Sequence, residues 1–157
     1  MPLEGEYEPS TRNWVREQVE RYEATGGREA NTLRDTGLPI AIFWNRGVKS
    51  GNVRKTPLMR VEHDGVYAMV GSQGGRPTDP AWVANVRADP HVTVQDGPEP
   101  WDGVVREITG EEKRIWWERA VAAFPNYADY QRRTDREIPL FVVERADPAN
   151  PAQVRLP

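Results

Sequence analysis

The chain has 157 residues, a length that suits one domain rather than two and is enough to bury a core without disulfides. It has no cysteine and two histidines far apart, which excludes disulfides and thiol nucleophiles, and the lack of a carboxylate pattern around the histidines argues against a metal site. The net charge of −3 argues against a nucleic-acid-binding module, and because the N-terminus is polar and no stretch approaches about 20 apolar residues, we expect no signal peptide, no transmembrane segment and a cytoplasmic protein.

In the first half of the chain, the spacing of apolar residues changes from that of a helix to that of a strand. Thr11–Thr25 carries apolar residues at helical spacing and is followed by two glycines, which predicts an amphipathic helix and its end. Residues 28–38 have the composition of a connector. The apolar run Pro39–Trp44 predicts a buried strand, and residues 46–56 are predicted to form a polar, basic loop.

A β-hairpin is predicted next. Pro57–His63 alternates apolar and polar residues, and Val66–Gly71 has the composition of a returning strand. Asp64-Gly65 between them is a strong signal for a tight turn. The ends of these strands carry several of the candidate site residues.

Helices and strands alternate irregularly over the second half of the chain. The predicted elements are a short helix from Pro80 to about Arg87, strands over His91–Gln95 and Val104–Ile108, a helix from Thr109 to about Phe124, a helical turn over Asn126–Arg132 and a last strand over Ile138–Glu144. Thr109 and Glu112 have the spacing of a capping box. The tail after Arg145 is rich in proline and alanine and is predicted to be loose, like the N-terminus.

This order of elements predicts a mainly antiparallel α+β fold. The hairpin and short turns favour a sheet that curls into a barrel with helices packed outside it. The chain shows no regular βαβ alternation and no G-x-G-x-x-G after a strand, which disfavours a Rossmann fold. We expect a single domain over residues 1–157 with a core from about 11 to 145. No long interface helix stands out, so a monomer or a weak homodimer is expected.

The segment Arg46–Arg60 is the most informative stretch of the sequence. It contains five cations and no acid, although the remainder of the chain carries a net charge of −8. Such a local excess indicates an anionic ligand, and Ser50 and Gly51 add a hydroxyl and a flexible backbone that can aim N–H groups at a phosphate. A solvated surface loop explains the same composition, and the order of residues is not that of a Walker loop.

Three further clusters are candidate site elements. Ser72–Gly75, with Gln73 and Gly74 at its centre, follows the hairpin and would permit close approach of the backbone to a flat ligand. Trp82 and Asn85 share a helix face and could hold the edge of a heteroaromatic ring. Tyr127 and Tyr130 lie one helical turn apart and could wall a ligand and donate a proton. Each cluster has a plain structural alternative, namely a turn, a core tryptophan with a bracing amide, and a pair of half-buried tyrosines.

Taken together, these fragments resemble a known family. The run from Lys49 to Gly65, Lys-Ser-Gly-x-x-Arg-Lys-Thr-Pro-Leu-Met-Arg-Val-Glu-His-Asp-Gly, is similar to the signature of the deazaflavin (F420)-dependent nitroreductases. The resemblance continues through Gly74-Gly75, through Pro80-x-Trp82-x-x-Asn85 and through the run from Trp116 to Pro139, and covers about residues 13–144. It implies a split β-barrel that binds reduced coenzyme F420 and passes hydride to a small electron-poor acceptor, such as an enone or unsaturated lactone, a quinone or a nitro-compound. The family occurs mainly in actinobacteria, which suits a chain with 18 arginines and 3 lysines.

The resemblance also implies roles for particular residues. The phosphate and carboxylate tail of the cofactor would meet Lys49, Arg54 and Lys55, and the backbone at Thr56, Pro57 and Met59 would line the deazaflavin ring. Ser72, Gln73 and Gly75 would lie near the ring edge, and Tyr127 and Tyr130 would wall the substrate pocket, with either tyrosine or Ser72 as the candidate proton donor.

Two departures from the family pattern affect these expectations. Trp44 and Arg46 replace smaller residues before the basic segment and could reshape the pocket entrance or the tail site, and Gln73 stands where some relatives carry lysine. The residues alone leave two alternatives open. FMN also ends in a phosphate, so an FMN enzyme of the pyridoxamine-phosphate oxidase type has the same requirements, and a cofactor-binding protein without turnover would share the site.

Overall fold

The computed structural model describes residues 2–154. Within that range the helices are α1 (Asn13–Ala24), α2 (Ala81–Ala88), α3 (Gly110–Ala123) and α4 (Asn126–Arg133). The strands are β1 (Ile40–Arg46), β2 (Val53–Met59), β3 (Glu62–His63), β4 (Val66–Val70), β5 (His91–Gln95), β6 (Trp101–Glu107), β7 (Leu140–Asp147) and β8 (Asn150–Val154). A short 3-10 turn over Gln73–Gly75 follows β4.

The strands form one antiparallel sheet that closes on itself. Its order is β2-β1-β5-β6-β7-β4-β3, with β8 paired to the end of β7. The two end strands of this order, β2 and β3, are consecutive in the chain and only Arg60 and Val61 separate them. The backbone N–H of Ala68 in β4 donates to the carbonyl of Val61 at 2.9 Å, so this short connection brings the opposite edges of the sheet together. The predicted mainly antiparallel barrel with helices outside it is confirmed.

Apolar side chains pack on both faces of the sheet. Ile40 and Ile42 of β1 belong to a core that includes residues of α1, α3 and α4, whereas Ala41 and Phe43 belong to a second core with α2. β7 contributes to both cores in the same alternating way. Strands buried on both faces read as continuous apolar runs, which is why Pro39–Trp44 shows no alternation in the sequence.

The predicted hairpin is correct at its turn and wrong over most of its first strand. Asp64 and Gly65 both have positive φ, 52° and 82°, as a two-residue hairpin turn of the favoured twist requires. Only Glu62 and His63 pair with β4, because Pro57–Met59 belong to β2 and pair with β1. β1 runs to Arg46 and β2 begins at Val53, so the loop is shorter than predicted, and three of its basic residues, Arg46, Arg54 and Lys55, lie on strands.

The prediction of loose tails is wrong for the described residues. The backbone of Val53 bonds to Glu6 and Glu8, and the N–H of Leu3 donates to Thr93 Oγ1 at 2.8 Å, so the N-terminal segment follows the sheet. β7 runs on to Asp147 and β8 pairs with it. Edge strands have free backbone groups, and these pairings satisfy them. Residues 155–157 lie outside the described range.

The start of α3 also differs from the prediction. Thr109 makes no side-chain hydrogen bond as N-cap, and Glu112 pairs with Arg106 of β6 at 2.7 Å instead of reaching back to the helix end. The capping box predicted from spacing is therefore absent, because a cation on the neighbouring strand binds the carboxylate more strongly than a backbone N–H would.

Candidate functional site

A cleft of about 910 Å³ lies between the helices and one side of the sheet. Its floor is formed by β1 and β2, and its walls by α1, α4, the loop of residues 47–52 and the beginning of α2. Every predicted site residue lines this cleft except Gly51 and Gly75; those that do are Lys49, Ser50, Arg54, Lys55, Thr56, Pro57, Met59, Ser72, Gln73, Gly74, Trp82, Asn85, Tyr127 and Tyr130. The fold thus brings together residues that are up to 81 positions apart, counted from Lys49 to Tyr130.

Lys55 is fixed by its neighbours and is not free to meet a ligand. Its Nζ lies 2.9 and 2.8 Å from the two carboxylate oxygens of Glu23 in α1. It also sits over the rings of Trp44 and Tyr7, 4.1 and 4.7 Å from their centroids. The Lys55 side chain is only 12% exposed. These contacts describe a residue that joins α1, β1 and β2, so the tail-binding role implied for Lys55 does not fit its surroundings.

The remaining cations of the basic segment are also mostly paired. Arg54 Nη1 contacts Glu8 at 2.6 Å, and Arg60 Nε contacts Asp96 at 2.7 Å. Arg46 donates to the backbone carbonyls of Gly51 and Glu4, both at 2.9 Å. Apart from Gly51, these partners lie 36 to 46 positions away in the chain, so the acid-free composition of Arg46–Arg60 overstates the free positive charge of the segment.

Three cations of the cleft have no acidic partner among residues 2–154. They are Lys49 in the loop of residues 47–52, Arg12 before α1 and Arg76 before α2. Lys49 was predicted from the sequence, whereas Arg12 and Arg76 were missed because neither lies in a basic run. The free positive charge of the cleft therefore comes from three separate segments of the chain.

A buried pair of amides holds the loop of residues 47–52. Asn85 Nδ2 donates to Asn45 Oδ1 at 2.7 Å, and Asn85 Oδ1 accepts the backbone N–H of Val48 at 3.1 Å. Asn45 is fully buried and Asn85 is 7% exposed. The structure thus supports the bracing alternative for Asn85, whose amide positions the residue before Lys49. Trp82, on the same face of α2, packs edge-on against Phe141 at 5.5 Å between ring centroids.

The segment Gly71–Arg76 is shaped by backbone conformation and by one arginine. Gln73, Gly74 and Gly75 all have positive φ, and a Cβ on Gly75 would lie 2.7 Å from the carbonyl oxygen of Tyr130. Arg136 donates to the carbonyls of Gly71 and Ser72 at 3.1 and 2.8 Å, and to Asp79 at 2.8 Å. Sequence reasoning missed the positioning role of Arg136, although the residue lies in the run that carries the family resemblance.

Aromatic side chains of α4 and of the residue that follows α3 form a wall of the cleft. Tyr127 is 3% exposed and packs against Phe124 and Tyr130, with ring centroids 5.0 and 6.3 Å away. Burial raises the pKa of the Tyr127 phenol well above its ordinary value, so this hydroxyl stays protonated at neutral pH. Tyr130 is half-buried, and Ser72 is 7% exposed. All three candidate proton donors are lining residues of the cleft.

Gln18 is a further polar residue of the cleft that sequence reasoning missed. Its Nε2 donates to the carbonyls of Ala30 and Thr32 at 3.1 and 2.9 Å, and its Oε1 is buried without a partner among the described residues. Gln18 lies four residues after Trp14 and four before Tyr22, so its place on the buried face of α1 could have been read from the helical period.

Of the residues that depart from the family pattern, Trp44 and Arg46 are not part of the cleft lining. Trp44 Nε1 donates to Gln95 at 2.7 Å, and its ring covers Lys55. Arg46 donates to the carbonyl of Glu4 in the N-terminal segment and to that of Gly51 in the loop of residues 47–52. Trp44 and Arg46 therefore contact residues around the cleft without lining it, and their effect on the pocket entrance or the tail site stays a prediction. Gln73 does line the cleft, but its amide donates to Thr78.

Comparison with known proteins decides between the cofactors. The model of a family described as F420H2-dependent quinone reductase matches residues 14–145. The chain belongs to this family. It is therefore an oxidoreductase that uses coenzyme F420, which removes FMN and the binding protein without turnover from the alternatives. The family description names quinones among the acceptors and does not mention nitro-compounds.

Individual relatives agree with this assignment. The chain is 28% identical over 127 residues to an F420H2-dependent quinone reductase of Mycobacterium tuberculosis, across 79% of this chain and 85% of the relative. A solved F420H2-dependent reductase is 54% identical, with a TM-score of 0.64 over 68% of this chain and 94% of the other. A solved domain-swapped dimer is 50% identical, with a TM-score of 0.67 over 86% of this chain and all of the other.

More distant structures share the fold alone. An FAD-binding protein of Mesorhizobium loti is 14% identical with a TM-score of 0.50, across 69% of this chain and 79% of the other. This likeness agrees with the split β-barrel implied by the family resemblance. Within residues 2–154, no helix has the length and apolar character needed to cross a bilayer.

Proposed function

We propose that the chain reduces a quinone-type acceptor with hydride from F420H2, and that the cofactor ring and the acceptor both occupy the cleft of about 910 Å³. The observation that carries this proposal is the mixed lining of the cleft. Unpaired cations and a hydroxyl line it together with aromatic and aliphatic side chains. A flat redox cofactor with an acidic tail and an apolar acceptor need both kinds of environment in one cleft.

The polar residues of the cleft fit the cofactor. Lys49 supplies an unpaired ammonium and Ser50 a hydroxyl, and both lie in a loop whose position is fixed by Asn85. Gly74 has open space where a Cβ would be, so the backbone can approach a flat ring there. We propose that the tail binds at Lys49 and Arg54, with Arg12 and Arg76 adding positive charge. Lys55 acts as a structural residue.

The chain's own contribution to the reaction is positioning. F420H2 supplies a hydride on carbon and favours two-electron transfer. The protein has to hold the acceptor within about 3–3.5 Å of that hydride. The wall of Phe124, Tyr127 and Tyr130 can stack against a flat acceptor and exclude water. Charge that develops on the acceptor oxygen needs a donor, and the protonated Tyr127 hydroxyl, Tyr130, Ser72 or solvent can fill that role.

Oxidation of F420H2, followed optically against a panel of quinones, enones and nitroaromatics, tests the proposal. We expect turnover with at least one quinone and saturable binding of F420 by the purified protein. A matched titration with FMN serves as the control for the cofactor and should show much weaker binding. Absence of F420 binding would contradict the proposal, whereas turnover with nitroaromatics or enones alone would keep the cofactor and replace the acceptor.

Three further expectations from the sequence stay predictions. They are a single domain, a cytoplasmic location and a monomer or weak homodimer.

A further inference from the structure

The N-terminal segment, residues 2–12, lies along the outer edge of β2. Tyr7 forms a parallel bridge with Val53. The N–H of Val53 donates to the carbonyl of Glu6 at 2.8 Å, and the N–H of Glu8 donates to the carbonyl of Val53 at 2.9 Å. These backbone bonds hold Glu8 beside β2, where it lines the cleft together with Ser50 and Arg54.

The Glu8 carboxylate occupies groups that would otherwise be open to an anionic ligand. One oxygen accepts from Asn52 Nδ2 at 3.2 Å, and the other accepts from Arg54 Nη1 at 2.6 Å. The hydrogen bond from Asn52 and the charge of Arg54 hold the pKa of Glu8 below its ordinary value. The chain therefore binds one of its own carboxylates at the predicted tail site.

The two acid–cation pairs of the cleft differ in how readily they can exchange. In the Arg54–Glu8 pair, 33% and 41% of the side chains are exposed, compared with 12% and 27% in the Lys55–Glu23 pair. An exposed pair is weak, because water solvates both partners well when they separate. The Glu8 side chain can turn into solvent while the backbone bonds of Glu6 and Glu8 to Val53 remain, so an incoming anion can replace the carboxylate without unfolding the N-terminal segment.

We propose that Glu8 is an internal competitor of the ligand's anionic tail and sets the affinity of the site for that tail. The inference rests on the proposed function, because the ligand is F420 with its phosphate and carboxylates. Glu8 lowers the affinity for any anion at Asn52 and Arg54. Glu8 does not change the affinity for a ligand that has the ring but lacks the anionic tail, because Glu8 competes only with the tail.

The test compares two charge-neutralising variants and two ligands. Glu8→Gln keeps the size of the side chain and the backbone bonds but removes the charge that binds Arg54. Glu6→Gln removes the same charge from the same segment, and the Glu6 side chain is exposed and makes no hydrogen bond or ion pair with residues 2–154. Dissociation constants are measured for F420 and for the deazaflavin riboside that lacks the phosphate and carboxylates.

We expect Glu8→Gln to bind F420 about two- to fivefold more tightly than the wild type, the size of a surface ion pair expressed as a ratio of affinities. Glu6→Gln should stay near the wild type, and the affinity for the tail-less riboside should be the same in all three proteins. Unchanged or weaker F420 binding by Glu8→Gln would overturn the inference, and weaker binding would show that Glu8 orients Arg54 for the ligand. If none of the proteins binds F420, the proposed function fails as well, whereas equal binding by all three removes the inference alone.

Discussion

Lys49 and Lys55 carry the same charge six residues apart, and their surroundings give them different roles. Lys49 has no acidic partner among residues 2–154 and lines the cleft. Lys55 binds both carboxylate oxygens of Glu23 and lies over two aromatic rings. The residue type gives the charge, and the contacts decide whether that charge is available to a ligand.

Replacing each lysine by methionine separates the two roles. Lys49→Met should raise the dissociation constant for F420 by about tenfold, the lower end of what a charge-assisted hydrogen bond contributes, and leave the free energy of unfolding unchanged. Lys55→Met should lower the free energy of unfolding by about 1–3 kcal/mol, because Glu23 is left half-buried without its partner. Titration with F420 measures the dissociation constant, and denaturant unfolding measures the free energy of unfolding. The reverse pattern would return the tail-binding role to Lys55.

A single hydroxyl is not expected to be indispensable at the aromatic wall. Tyr130 is half-buried, so water can reach its neighbourhood and supply the proton that its hydroxyl would otherwise give. Tyr130→Phe should therefore lower kcat/KM by less than about a hundredfold, the lower limit for a positioned general acid. Steady-state rates of F420H2 oxidation with one quinone measure the effect. A larger loss would identify Tyr130 as the proton source.

At the scale of elements, the cleft depends on how the segment after β4 contacts α4. Gly75 lies against the backbone of Tyr130, and the guanidinium of Arg136 holds the carbonyls of Gly71 and Ser72. The aromatic wall on α4 and the glycines opposite it are therefore positioned by one shared contact. A change in this contact should alter both sides of the cleft together.

Alanine at Gly74 and at Gly75 distinguishes backbone conformation from close packing. Both residues have positive φ, so each substitution should cost about 1 kcal/mol of stability for the left-handed conformation alone. Gly74 has free space at its Cβ position, whereas a Cβ on Gly75 would meet Tyr130 O at 2.7 Å, so Gly75→Ala should cost about 2–3 kcal/mol in all. It should also slow F420H2 oxidation, because α4 carries the tyrosines. Equal losses of stability in the two variants would show that the segment and α4 are not in tight contact.

At the scale of the whole molecule, closure of the sheet brings together side chains from the ends of three strands. Arg60 follows β2, Tyr67 lies in β4 and Asp96 follows β5. The Asp96 carboxylate accepts from both Arg60 and the Tyr67 hydroxyl. This network lies where the two edges of the sheet meet, so its contribution to stability depends on the closed barrel.

The titration of Tyr67 gives a pH-dependent test of that network. Burial, with the Asp96 carboxylate, raises the pKa of Tyr67 from 10.0 to about 12. As the pH rises, the unfolded chain loses the Tyr67 proton before the folded chain does. The stability that the protonated Tyr67 contributes is therefore complete below pH 10 and is lost between pH 10 and 12. The wild type should therefore lose about 2 kcal/mol more than Tyr67→Phe across this interval. Parallel curves of the free energy of unfolding against pH would contradict the prediction.

Local patterns in the sequence determined the elements and the candidate site. The Asp64-Gly65 turn, the buried run Pro39–Trp44 and the helices follow from backbone preferences and residue period, which act over a few positions. The motifs around Lys49, Asn85 and Tyr130 carried the family resemblance, and the family comparison confirmed it. No longer-range information was needed for these predictions.

Only the tertiary structure decided which charges of the cleft are free. Glu8 and Glu23 are 46 and 32 residues away from the cations that they pair with, and the contact of Arg136 with Ser72 spans 64 residues. The pairing of β2 with β1 and the ordered tails likewise depend on which edges of the sheet are left open. These contacts form only when the sheet closes and the N-terminal segment and α1 pack against it. A sequence pattern spans a few residues, so it does not show which distant segments come into contact.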